Sequence, residues 1–155
     1  MLCLYWCMVG PLYWELLESD ETFNSDVYCR HMDNVQAVLD QMEANGEWEG
    51  PVKLLQDNAK PHRSRRSTHH VKEMLGWEVL DHPPYSPDVA PSDYHIFLSL
   101  KNFMRGRQFK NRDQVEASLR EYFEFKEPEF YARGIRKLPK RWLTVHYNRG
   151  EYLIS

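Results

Sequence analysis

The sequence predicts an α/β domain. Three observations carry that reading: two aromatic, β-prone runs split by a turn signal near the start, a run at helical spacing after them, and two more short apolar runs flanking a polar, basic helix. The order is ββα, βα, β, then helices, with no internal repeat and no low-complexity linker.

"LCLYWCM" and "LYWELL", separated by "VGP", predict a hairpin with Gly10 and Pro11 in its turn. From Ser25 to Asn45, Val27, Met32, Val35, Val38, Leu39 and Met42 recur near helical spacing, and Asn24 or Ser25 can cap the start. "NGEWEG" breaks that helix. "VKLL" (52–55) is a buried-strand candidate that runs out at Gln56-Asp57-Asn58. Residues 62–75 form a polar helix with a modest apolar side, which Gly76 ends, and "WEVL" (77–80) is the next strand.

"HPPYSPDVAPSDYHIF" (82–97) carries Pro83, Pro84, Pro87 and Pro91. Each fixes its own φ and pushes the preceding residue out of the helical region, so the segment is expected to be an ordered, extended connector. Ser92 is placed to cap the next helix, with Asp93 in its first turn and Ile96, Phe97, Leu100 and Phe103 facing inward. Asp113 and Glu116 form a D-x-x-E capping box ahead of "VEASLREYFEF", and Pro128 opens a last helical region through "FYARGIRKL".

The 155 residues suffice for one domain with a real core, and 42% hydrophobic with 14% aromatic residues exclude a disordered chain. No apolar run is long enough to span a membrane, and the opening "MLCLYWCMVG" lacks the basic and small-residue features of an export signal, which leads to a soluble chain. Cys3, Cys7 and Cys29 are odd in number and lack CxxC spacing, so they are expected as reduced, buried thiols. His62, His69 and His70 lie close in sequence, but no acid or cysteine at ligand spacing joins them, which argues against zinc.

Net charge is −3, yet it is unevenly spread. Residues 1–50 hold ten acids against one base, and residues 51–155 hold nineteen bases against thirteen acids. Lys60, Arg63, Arg65 and Arg66, then Lys101, Arg105, Arg107, Lys110 and Arg112, form two clusters that suit a phosphate backbone, although a solvated helix face explains them as well.

Asp57 falls where a buried strand ends and Asp93 where a helix begins after the rigid connector. In open α/β sheets, sites gather at the carboxyl ends of strands, and two carboxylates there can hold divalent ions for phosphoryl displacement. A plain turn aspartate and a helix-dipole aspartate are the structural alternatives.

"LLQDNAKPH" followed by "HPPYSPDVAPSDYHIF" resembles the catalytic-domain signature of the mariner transposases, and so do "YWELLESDETFNSDVYCRHMDNV" upstream and "FYARGIRKLPKRW" with "GEYL" at the end. The resemblance covers nearly the whole chain. It implies an RNase H-like mixed sheet flanked by helices, with a helical C-terminal part, that cleaves DNA and transfers strands using three aspartates and Mg²⁺ or Mn²⁺. Asp57 matches the second catalytic aspartate and Asp93 the third, so both are expected as catalytic and metal-binding residues. Partners by resemblance are DNA at transposon ends and a second copy in a homodimer, with no membrane or small-molecule substrate, and the location is nuclear.

Thirty-five residues separate Asp57 from Asp93, one more than is usual in the family, and Cys7 stands where the family commonly has an aspartate. The family's first catalytic aspartate, its strand and the helix-turn-helix region lie upstream of "MLCLYW". Residues 1–155 are therefore expected to be a single, N-terminally truncated catalytic domain: by resemblance a metal-dependent DNA transposase or endonuclease, inactive as a fragment and marginal in stability. The alternative is a domesticated, non-catalytic DNA-binding or dimerisation module.

Overall fold

The computed structural model describes residues 1–148 and 153, so the "GEYL" match falls, apart from Leu153, outside the described residues. The chain divides into two compact units: Met1–Tyr5 with Leu12–Tyr85, and Trp6–Pro11 with Ser86–Ser155. The first unit contains the strands of the central βα, β segment. Among the described residues, the regular elements of the second are helical apart from the tip of the hairpin.

β1 (Leu2–Cys7) and β2 (Gly10–Leu16) form the expected hairpin. Its turn is Met8-Val9 rather than Gly10-Pro11. Gly10 instead opens β2 at φ +146, where a side chain is disfavoured, with the Tyr131 ring 3.9 Å from where its Cβ would lie.

α1 (Ser25–Ala44) follows the periodic run, and Asn24 caps it by accepting from the backbone N–H groups of Asp26 and Val27. Its inner face supplies Tyr28, Cys29, Met32, Val35 and Leu39 to the core of the first unit, where Val71 and Trp77 meet them. A smaller cluster of Cys3, Leu17 and Val27 continues it. Of the three thiols expected to be buried, Cys3 and Cys29 are, and Cys7 is only partly so.

The two predicted internal strands are short. β3 (Lys53–Leu54) and β4 (Glu78–Val79) pair in parallel, with Lys53 opposite Glu78 and Leu54 opposite Val79. Glu78 N–H donates to Val52 O at 3.0 Å and Leu80 N–H to Leu54 O at 2.8 Å, extending the ladder past each end. Parallel strands need a crossover. Here it is α2 (Lys60–Arg63), α3 (Arg65–His69) and a π-helical turn over His70–Met74, where one continuous helix was expected. The break falls at Ser64, whose extended backbone interrupts the helix while its hydroxyl caps α3 through Ser67 N–H.

In the second unit the proline-rich connector is not wholly extended, because Pro87–Val89 closes a 3₁₀ turn. A π-helical segment, Ser92–Phe97, then runs into α4 (Leu98–Met104). Ser92 is not the cap, because the backbone is already helical at Pro91; its hydroxyl accepts from Trp6 Nε1 at 2.9 Å instead. Of the four side chains expected inside, Ile96 and Leu100 are buried, whereas Phe97 and Phe103 are only partly so.

α5 (Arg112–Phe125) is capped two residues before the Asp113 that was expected to cap it. Asn111 is the cap, accepting from Gln114 N–H, and the Gln114 side chain accepts from Lys110 N–H, a box-like pairing whose return bond reaches the residue before the cap. α6 (Pro128–Arg136) starts at Pro128 as predicted and is followed by α7 (Leu138–Tyr147). Leu119, Tyr122, Phe123, Tyr131 and Ala132 are buried here with Val89 and Ile96.

Candidate active site

Asp57 lies in the loop that leaves the carboxyl end of β3, and Asp81-His82 in the loop that leaves the carboxyl end of β4. Parallel pairing brings both exits to the same edge, the position where open α/β sheets carry their sites. Asn58 ties the two loops together, since its Nδ2 donates to His82 O at 2.8 Å while its Oδ1 accepts from Arg63 Nη1 at 3.0 Å. Between them lies a cleft of about 300 Å³, bordered by Asp57, Asn58, His62, Arg63, Lys72 and His82 among others. His82 Nδ1 is buried there with no hydrogen-bond partner among the described residues.

The Asp57 side chain is 64% exposed, so it faces solvent, yet it is oriented from behind. Its Oδ1 accepts from Ala59 N–H at 3.0 Å, an Asx turn, and from His62 Nδ1 at 2.6 Å. His62 is itself seated: its ring lies 4.9 Å from that of Tyr28 and 5.6 Å from that of Phe23. Tyr28 is wholly buried, its hydroxyl donates to Gln56 Oε1, and burial pushes its phenol pKa up.

The expectation that no acid joins the histidine cluster is therefore corrected. Asp57 meets His62, and Asp33 meets His70 at 2.7 Å. Linear spacing hid both, because one pairing crosses a helix start and the other joins two helical segments. Even so, among the described residues no group of three or more His, Cys, Asp or Glu is arranged to hold a metal ion.

Asp93 belongs to the second unit, in the first turn of the π-helical segment, and it is exposed. Its neighbours are fixed on both sides. Ser92 receives the Trp6 indole N–H, Tyr94 donates its hydroxyl to Gly134 O at 2.7 Å, and His95 Nε2 bonds Phe130 O at 2.7 Å. The connector is anchored too: Arg141 donates to Asp88 O at 3.0 Å and lies 4.2 Å over the Tyr94 ring, while Asp88 Oδ2 accepts from Leu153 N–H.

The basic residues divide into two kinds. Arg63 bonds Asn58, Arg66 pairs with Asp26 at 2.5 Å, Arg105 bonds Asn102, and Arg107 pairs with Glu121 while stacking 3.8 Å over Phe103. Lys60, Arg65 and Lys101 are exposed, and their side chains have no hydrogen bond or ion pair among the described residues.

The fold, with its parallel β3–β4 pair and helical second unit, matches the RNase H-like catalytic domain of a transposase. This chain belongs to the mariner transposase family. Residues 1–46 match the family model described as Transposase (partial DDE domain). The Mariner Mos1 transposase of Drosophila mauritiana is 40% identical over 154 residues, covering 99% of this chain and 44% of that protein. The Histone-lysine N-methyltransferase SETMAR of Homo sapiens is 38% identical over 153 residues, covering 98% of this chain and 22% of that protein. The chain thus spans less than half the length of these curated relatives. The crystal structure of the catalytic domain of Mos1 superposes with a TM-score of 0.92 at 38% identity, covering 99% of this chain and 75% of that one. Mos1 has also been solved as the catalytic domain with Mg and as a paired-end complex with Mn. Among the described residues no helix is long and apolar enough to cross a membrane.

Proposed function

We propose that residues 1–155 act as a transposase catalytic-domain segment that serves DNA cleavage and strand transfer, with Asp57 and Asp93 as its carboxylates for Mg²⁺ or Mn²⁺. The observation that carries the reading is Asp57 itself: an exposed carboxylate, held in one orientation at the carboxyl end of a parallel strand, in a chain that matches the Mos1 catalytic domain over nearly its whole length. Carboxylate oxygens are hard donors of the kind these ions take, so the residues fit the group. The ion, when bound, supplies charge stabilisation at the phosphoryl oxygens.

The chain's own contribution is orientation. Asn58 holds the β3 and β4 exits together, and the contacts of Ser92, Tyr94 and His95 fix the backbone on either side of Asp93. Lys60, Arg65 and Lys101 would follow the DNA backbone, with Arg63, Arg66, Arg105 and Arg107 contributing less because each already has a partner in the fold. DNA ends are the partner, in line with the Mos1 paired-end complex with left transposon end, a second copy of the chain is the partner in a homodimer, and the nucleus is the place of action.

The test is a chimera in which this chain replaces the matching segment of Mos1. Metal-dependent nicking of transposon-end DNA that Asp57→Ala and Asp93→Ala each abolish is the expected result. A chimera that nicks equally well with either alanine removes these residues from the chemistry.

A further inference from the structure

We infer that His62 is a positioning residue for Asp57: its Nδ1–H holds Oδ1 so that Oδ2 is the oxygen presented to a divalent ion. The inference rests on the reading of Asp57 as a metal ligand and adds a residue to it. A carboxylate only accepts, so the hydrogen in the 2.6 Å contact sits on His62 Nδ1. The second bond, from Ala59 N–H, lands on the same oxygen. Two donors on Oδ1 fix the rotation of the carboxylate about its Cβ–Cγ bond, leaving Oδ2 as the outward acceptor.

The donor is built in, not incidental. The His62 side chain is 16% exposed although the carboxylate it holds is 64% exposed. Its ring is set by Tyr28 and Phe23, which belong to the core side of the first unit. Pro61 stands at the start of α2 and fixes the backbone immediately before it. The pairing spans five residues, so the loop from Asp57 to His62 forms a closed local unit in which backbone, ring and carboxylate constrain one another. Partners of this kind behind a metal ligand typically set its affinity by about 10–100-fold.

The experiment measures Mn²⁺ affinity of the full chain by electron paramagnetic resonance of the free ion, together with thermal unfolding. His62→Phe keeps a ring against Tyr28 and Phe23 but has no donor; His62→Asn loses the ring but places an amide N–H near the Nδ1 position. The expected result is a loss of affinity of about tenfold or more in His62→Phe at a near-unchanged unfolding midpoint, and recovery of most of it in His62→Asn. Wild-type affinity in His62→Phe overturns the inference, as does an affinity that follows only the unfolding midpoint across the variants. Asp57→Asn separates this from the underlying reading: if Mn²⁺ binding is the same with and without the Asp57 carboxylate, the metal reading of Asp57 itself falls.

Discussion

The His95 ring lies directly against Gly134 of α6, in the space that a methyl group on that glycine would fill. The same ring bonds Phe130 O and stacks 4.4 Å from the Phe130 ring, while Tyr94 bonds the Gly134 carbonyl. The helix carrying Asp93 is thus docked on α6 through a close approach that only glycine permits. Gly134→Ala is expected to destabilise the protein by about 1–3 kcal/mol, the usual cost of overpacking. At this size that lowers the thermal midpoint by roughly 2–4 °C per kcal/mol. Adding His95→Ala should cost less than the sum of the two single changes; strict additivity would show that the two residues do not press on each other.

Acid should weaken the fold through His31. The ring is fully buried, its Nδ1 bonds Tyr5 Oη at 3.1 Å and its Nε2 bonds Glu15 Oε2 at 2.5 Å. Burial holds its pKa below the ordinary 6.5 even though Glu15 pulls the other way. Below that value the unfolded chain takes up a proton that the folded chain resists, so His31's contribution is complete above pH 6.5 and is lost as pH falls toward the lowered pKa. His95, also lowered chiefly by burial, acts in the same direction. Urea midpoints should fall between about pH 7.5 and about pH 5.5, and His31→Gln should flatten that slope, leaving the share of His95. A midpoint that is level or rises on acidification contradicts this assignment.

For DNA the distinction between occupied and unoccupied cations is measurable. Each of Lys60→Ala, Arg65→Ala and Lys101→Ala should reduce the slope of log affinity against log salt by about one. Arg66→Ala should change it less, since that guanidinium already pairs with Asp26. Equal effects from all four would mean that the Arg66–Asp26 pair opens on binding.

The start of α5 offers a clean comparison of two caps. Asn111→Ala removes the side chain that accepts Gln114 N–H and should cost about 1 kcal/mol. Asp113, inside the first turn, keeps only its favourable charge near the helix N-terminus, so Asp113→Ala should cost about 0.3–1 kcal/mol. Denaturant unfolding with equal slopes checks both, and a larger loss for Asp113 would restore the D-x-x-E box.

The sequence by itself determined the element order, the length and apolar face of α1, the Asn24 cap, the strand positions of β3 and β4 and the proline that opens α6. Those features follow from periodicity and from residues whose conformational limits are local, whereas the proposal of Asp57 and Asp93 as site carboxylates rests on the long specific motifs in which they stand. Tertiary structure decided where one local signal competed with another. Met8-Val9 rather than Gly10-Pro11 makes the hairpin turn, the crossover breaks at Ser64, and Ser92 receives Trp6 instead of capping its helix. The His62–Asp57 contact is of that second kind. A five-residue separation has no regular α-helical or strand meaning, and it becomes a hydrogen bond only because Tyr28 and Phe23, more than thirty positions upstream, fix the imidazole where the carboxylate can reach it.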